Sequence, residues 1–266
     1  MPGVRFAAVG IDEQPVALSV GDDGVARLRL DAPGSGNAIG PAMAAALRDR
    51  SAALRERGDV RVVVLEAAGR AFCVGGDVRH FAAAADPAAA VRALAGDFHA
   101  ALLDLAALDA PVVTRVQGVA AGGGLSLALA GDIVIAGASA TFTSAYTRIG
   151  LSPDGGQSWL LPRLVGVRRA AELMLTNRRV DAAEAARIGL VTEAVPDEEL
   201  DARVDATAAA PAQAAVRRLL LASATAPFAE HLETEADSIA RLAATPEGRE
   251  GVAAFVAKRP PDFRAS

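Results

Sequence analysis

Hydrophobic and polar residues alternate along Val16–Val20 and again along Val25–Leu30, on either side of Gly21-Asp-Asp-Gly24. A period of two broken by such a turn predicts a β-hairpin. The period then lengthens. Across residues 41–57 the apolar side chains Met43, Ala46, Leu47 and Leu54 return at helical spacing, with proline in the first turn and Gly58 past the end. Residues 60–65, Val-Arg-Val-Val-Val-Leu, are short and almost wholly apolar, as a strand covered on both faces should be. Residues 111–116 and 133–136 carry the same signature, and helical spacing occupies residues 89–108, 125–130, 155–165 and 170–175. Asp181-Ala-Ala-Glu184 has the form of a capping box, opening a short helix that Gly189 closes. Strand and helix alternate to about residue 195, and from about Leu200 the pattern is helical alone. The expected architecture is α/β, with a core over residues 1–199 and a helical C-terminal segment over residues 200–266 that is not an independent domain.

The 266 residues are 52% hydrophobic and 22% charged, a composition that buries a substantial core. A net charge of −5 argues against nucleic acid as a partner but leaves room for an anionic ligand held by a few arginines. The single cysteine, Cys73, excludes an internal disulfide and fits a reducing compartment. No signal-peptide pattern and no apolar run of about 18 residues is present, so a cytoplasmic protein with no membrane partner is expected.

Chemistry enters at two glycine turns. Ala71-Phe-Cys-Val-Gly-Gly-Asp-Val78 follows the strand at 60–65, and Gly118-Val-Ala-Ala-Gly-Gly-Gly-Leu125 follows the strand at 111–116. Glycine where a strand gives way to a helix leaves backbone N–H groups open, and two such groups converging on one point make an oxyanion hole. Close helix–sheet packing would use the same glycines. Neither turn matches a dinucleotide fingerprint, and no Gly-Lys-Ser/Thr phosphate loop occurs.

Phe72-Cys-Val-Gly-Gly-Asp77, Gly118-Val-Ala-Ala-Gly-Gly-Gly124 with Asp132, Gly150-Leu-Ser-Pro-Asp-Gly-Gly156, Leu161-Pro-Arg-Leu-Val-Gly166, residues 182–191 and Glu250-Gly-Val-Ala-Ala-Phe-Val-Ala-Lys-Arg259 together resemble the crotonase family, the enoyl-CoA hydratase/isomerase superfamily, over residues 13–263. The resemblance implies a spiral of ββα units followed by C-terminal helices, assembled as homotrimers or pairs of trimers. It also implies an acyl-CoA thioester as substrate, in lipid or fatty acid metabolism, with coenzyme A entering as part of that substrate and with no metal or separate cofactor. Gly76 and Gly123 would supply the two oxyanion N–H groups. Val74, Gly76 and Val78 would border the adenine, and Phe255 and Lys258 would reach the nucleotide, often that of a neighbouring subunit. The family's usual first-loop Arg-Pro is replaced here by Ala32-Pro33 ahead of Asn37-Ala38, which removes one phosphate contact; Arg79 is a candidate substitute.

By the same resemblance, two glutamates activate water in the hydratases, and their places hold Ser126 and Tyr146 here. Neither hydroxyl replaces a carboxylate as a base near neutral pH, so ordinary hydration is not expected. Relatives that shift double bonds, or isomerise ring-epoxides of phenylacetyl-CoA, carry their single acid at the place of Asp154. In Ser-Pro-Asp-Gly-Gly that residue reads equally as a turn or a helix cap. The leading expectation is a proton shuttle at Asp154 serving isomerisation, Δ3 to Δ2 or of a ring-epoxide, with Leu151 and Trp159 as apolar neighbours favouring its protonated form. His99, Tyr146 and Ser126 are auxiliary candidates. His99, Tyr146 and Asp154 fall on the places of an aspartate-nucleophile dehalogenase, which keeps dehalogenation or thioester hydrolysis as an alternative, beside non-catalytic acyl-CoA binding. A Ser126–His99–Asp154 triad lacks the Gly-x-Ser-x-Gly elbow.

Overall fold

The structure, a computed structural model, describes residues 14–209 and 213–263. The expected hairpin is β1 (Val16–Val20) and β2 (Val25–Leu30), closed by Gly21 N–H to Val25 O at 3.0 Å. Along the chain there follow α1 (Pro41–Arg55), β3 (Val62–Ala67), α2 (Val78–Ala83), α3 (Pro87–Ala106), β4 (Val112–Val116), β5 (Val119–Ala121), α4 (Gly123–Ala128), β6 (Ile133–Gly137) and β7 (Thr141–Thr143). Then come α5 (Gln157–Val165), α6 (Val167–Thr176), β8 (Val180–Asp181), α7 (Ala182–Arg187), β9 (Glu193–Val195), α8 (Leu200–Ala208), α9 (Gln213–Ser223), α10 (Phe228–Ala243) and α11 (Pro246–Val256).

Strand order β1-β2-β3-β4-β6-β9 makes a six-stranded sheet, antiparallel at β1–β2 and parallel beyond. The apolar run of β3 has the predicted cause. Val63 and Leu65 face the main core with α1 and α3, while Val62 and Val64 face a second cluster with Val113 and Ile135. Leu200, Val204 and Ala208 of α8 cap that second face, and full burial of Leu200 and Val204 contributes roughly 1.5–3 kcal/mol each. Strands β5, β7 and β8 form a separate small sheet in that spatial order. Each is two or three residues long, too short to display a period, and sequence patterning missed all three, together with the six-residue α2.

The elements expected at 60–65, 89–108 and 125–130 are each displaced by two residues, as β3, α3 and α4, and two further expectations need correction. Asp181 caps α7, its Oδ1 accepting from Glu184 N at 2.7 Å, but the reciprocal half of the capping box does not form. The Glu184 carboxylate instead takes both Arg178 Nη1 and Nη2, at 2.8 and 2.9 Å, and that guanidinium holds it below the usual carboxylate range. Helix α5 begins at Gln157, two residues later than expected, because Gly155 and Gly156 both sit at positive φ.

Beyond α8, helix α9 is tied to the core by a buried cation, with an outer Arg218–Asp109 pair at 3.5 Å beside it. Arg217 of α9 is 5% exposed; its Nε donates to Asp132 Oδ2 at 2.7 Å, and Nη2 to Leu105 O and Ala106 O, both at 3.2 Å. Asp132 Oδ2 also accepts from Val112 N at 2.7 Å, so the end of α3 and the start of β4 are tied by a single ion pair. Beyond it, Phe228, Ile239 and Phe255 are 77%, 70% and 85% exposed. Among the described residues no helix is long and apolar enough to cross a membrane.

Candidate active site

The two glycine turns lie side by side because a short parallel ladder runs into them. Cys73 bridges Ala120, with Cys73 N–H on Val119 O and Ala121 N–H on Cys73 O, both at 3.0 Å. That pairing brings the turn at Gly75-Gly76 up against the turn at Gly122-Gly123. The turns touch: a Cβ on Gly75, which has φ of +100°, would lie 3.5 Å from Gly122 Cα and 2.7 Å from Ala121 O. A Cβ on Gly124 would lie 2.2 Å from Cys73 O. Glycine at these flanking positions is therefore a demand of the fold. Gly76 is different, since its φ is ordinary and a Cβ there would meet only the Phe81 ring at 3.5 Å. What glycine provides at 76 is an uncovered amide.

Among the described residues neither the Gly76 N–H nor the Gly123 N–H has an acceptor. Gly123 opens α4, so its amide is one of the donors that every helix N-terminus leaves unused. Asn37 fixes the ladder from behind. Fully buried at a φ of 56°, it gives Nδ2 to the carbonyls of Ala68, Ala71 and Phe72 at 2.9–3.1 Å and takes Ala32 N on Oδ1. Cys73 donates to Asn37 O, and burial pushes its thiol up to about 12, leaving no thiolate for chemistry.

Asp154 faces this place and caps nothing. The N-cap of α5 is Gly156, without a side-chain bond, and Asp154 contributes only its carbonyl, to Gln157 N at 3.2 Å and Ser126 Oγ at 3.0 Å. Its carboxylate is free of main-chain donors. Oδ1 accepts a short hydrogen bond from the Tyr146 hydroxyl, and Oδ2 lies 3.8 Å from His99 Nε2. Burial and the adjacent Asp154 charge hold the Tyr146 phenol well above its ordinary value, so it stays a donor. Ala145, with a φ of 64°, presents that tyrosine from a strained conformation costing about 1–2 kcal/mol. His99 Nε2 accepts from Gly155 N at 3.1 Å, which places its ring proton on Nδ1. The expected apolar neighbours do not enclose the acid: Leu151 and Trp159 are 41% and 59% exposed in the single chain. The walls near the glycines are instead Ile39, Phe81 and Phe98.

Ser126 is fully buried, its hydroxyl directed to main-chain carbonyls, and it shares no hydrogen bond with His99; no hydrolytic triad is assembled. Val74 and Val78 flank Gly76 and are 43% and 49% exposed. Arg79 is exposed, and the Asp77 carboxylate at the start of α2 takes its main-chain N–H. Phe255 and Lys258 lie on the exposed side of α11 and just after it; within one chain α11 packs on α10 and against Phe263. Sequence reasoning missed Gln157 and Ser144, which are 0% and 1% exposed and bond to each other at 2.5 Å behind the glycines. A lone Gln in a helix's first turn and a Ser in a loop carry no signal of such a role.

The sequence model of the enoyl-CoA hydratase/isomerase family matches residues 21–266. The chain is 42% identical to a Rhodobacter capsulatus protein named "Probable enoyl-CoA hydratase", over 91% of this chain and 95% of that one. It is 35% identical to the 1,2-epoxyphenylacetyl-CoA isomerase of Escherichia coli, over 92% and 97%. Among solved structures, enoyl-CoA hydratase of Mycobacterium smegmatis superposes with a TM-score of 0.83 at 30% identity, covering 94% of this chain and 98% of that one. Ladder, glycine turns and comparisons agree that the chain has the crotonase fold and belongs to the enoyl-CoA hydratase/isomerase family of acyl-CoA enzymes.

Proposed function

We propose that this protein isomerises an acyl-CoA, with Gly76 and Gly123 N–H groups holding the thioester oxygen and Asp154 carrying the proton. The observation that carries this reading is the Asp154 carboxylate: uncommitted to capping, half-exposed beside the glycine turns, and held at one oxygen by Tyr146. Its free Oδ2 takes a proton from a substrate carbon as the C–H electrons move into the thioester carbonyl; the resulting enolate oxygen rests on the two amides. The same carboxyl then returns the proton to a second carbon, so no water is consumed and nothing is oxidised. Ser126 and Tyr146, where two carboxylates would be needed to activate water, support isomerisation over hydration. The likeness to the E. coli epoxyphenylacetyl-CoA isomerase is consistent with a ring-epoxide substrate, and a Δ3-enoyl-CoA fits the same chemistry. Coenzyme A would lie along Val74, Gly76 and Val78. Phe255 and Lys258 would reach the nucleotide bound by a neighbouring copy in a homotrimer or pair of trimers, which would also cover the exposed apolar faces of α9–α11. No metal or separate cofactor takes part in this scheme.

Asp154→Asn is expected to lower kcat on the order of 10³-fold or more while acyl-CoA binding by calorimetry is retained. Full activity in that variant, assayed with Δ3-enoyl, Δ2-enoyl and phenylacetyl-derived CoA esters, overturns the reading. An aspartate-nucleophile route would leave an acyl or aryl group on Asp154, detectable by mass spectrometry. The geometry favours it less, since the His99 lone pair that would activate water is engaged by Gly155 N–H.

A further inference from the structure

The peptide unit is planar, so gripping its carbonyl oxygen fixes where its N–H points on the opposite side. The two candidate oxyanion donors are the N–H ends of the Gly75–Gly76 and Gly122–Gly123 peptides. The first is gripped by main chain, Ile39 N–H to Gly75 O at 2.8 Å. The second is gripped at Gly122 O by Ser126 N–H at 3.1 Å, the first helical bond of α4, and by a side chain, Gln157 Nε2 at 3.2 Å.

We propose that Gln157 is a positioning residue that aims the Gly123 N–H at the substrate oxygen and locks that peptide to the loop bearing Asp154; this rests on the reading of Gly123 as an oxyanion donor. Three observations and one physical argument support it. Gln157 is fully buried, so its amide is not there for solubility. Its orientation is dictated by its neighbours: Gly122 O can only accept, so it faces Nε2, and Oε1 takes the Ser144 hydroxyl at 2.5 Å. Nε2 also reaches Ser126 Oγ at 3.4 Å, whose hydroxyl returns to Asp154 O at 3.0 Å, while Gln157's own N–H donates to the same carbonyl at 3.2 Å. One residue thus holds the peptide that binds the oxygen and the backbone of the residue that moves the proton. Finally, a donor on the Gly122 carbonyl polarises the peptide and makes the Gly123 N–H a stronger donor.

The test reads the thioester carbonyl directly. Carbonyl-labelled phenylacetyl-CoA bound to the wild-type protein should show its C=O stretch moved to lower frequency in difference infrared spectra, and Asp154→Asn should keep that shift because the proton shuttle plays no part in it. Gln157→Met, similar in length but without donors, is expected to lose at least half of the shift and to lower kcat about tenfold, less than the removal of an oxyanion donor outright. Ser144→Ala leaves Gln157 in place without its Oε1 donor and should give a smaller loss in the same direction, a measurement that stands even if the Met variant does not fold. A full shift and full kcat in the folded Gln157 and Ser144 variants overturn the role of Gln157 and leave the oxyanion reading intact. No shift in the wild-type complex overturns the oxyanion reading itself, and this inference with it.

Discussion

The sheet core and the last three helices use the same kinds of residue to opposite ends. In the core, apolar side chains on both faces of β3 are enclosed within the chain, and the glycine turns, Asn37, Tyr146 and Asp154 find their partners there too. In α9–α11 large apolar side chains stand in the open, Phe255 at 85% and Phe228 at 77% exposure. The difference separates two tasks. The chemistry proposed for Asp154 is assembled by one chain, whereas the nucleotide contacts proposed for Phe255 and Lys258 need something to pack against. Arg217 is the buried ionic link between the regions, with the Arg218–Asp109 pair outside it.

The sharpest way to break the comparison is to cut that join. Arg217→Met leaves Asp132 partly buried beside the end of α3 without its cation, and should destabilise the chain by about 3 kcal/mol or more in chemical denaturation. Loss should fall on α3, which carries His99, and on the α9 attachment, read as faster amide exchange there. Next in size, Phe255→Asp attacks the outer region alone. If a neighbouring copy covers that face, the variant should raise KM about tenfold and shift the protein to smaller species in sedimentation, with kcat little changed. An unchanged oligomer and KM would place the exposed face outside both assembly and substrate binding. The smallest effect sharpens the core side. Tyr146 is the single tyrosine of the chain. Its phenol is held up by burial and by Asp154, so the folded chain keeps a proton that the unfolded chain releases above about pH 10. Stability should therefore fall as pH rises past that value, by about 1 kcal/mol between pH 10 and 11, and Tyr146→Phe should lack this slope.

Legibility followed the same division. Strands buried on both faces announce themselves by unbroken apolar runs, and β3 and β4 were readable for that reason. Strands β5, β7 and β8 were not, because their pairing is decided by what the small sheet stacks on rather than by any period of their own. The glycine turns were readable because glycine where a strand gives way to a helix leaves main-chain N–H groups uncovered. Local sequence left Asp154 undecided between cap and acid; the positive φ at Gly155 and Gly156, which delays α5, frees its carboxylate from the helix end. Gln157 was beyond reach of sequence, since a polar side chain in a helix's first turn normally points to water and only the closeness of Gly122 turns this one inward. Leu151 and Trp159 do not enclose Asp154 within the single chain, because nearness in sequence says nothing about the face of the loop on which a side chain emerges.

The Cys73–Ala120 bridge has a practical corollary. The chain carries one thiol, sealed in the ladder that holds the two glycine turns abreast and kept un-ionised by burial. An alkylating reagent can therefore reach it only during moments when the ladder parts. Its labelling rate is a built-in clock for how often the proposed oxygen-binding turns come undone, and ligands that knit them together should slow that clock.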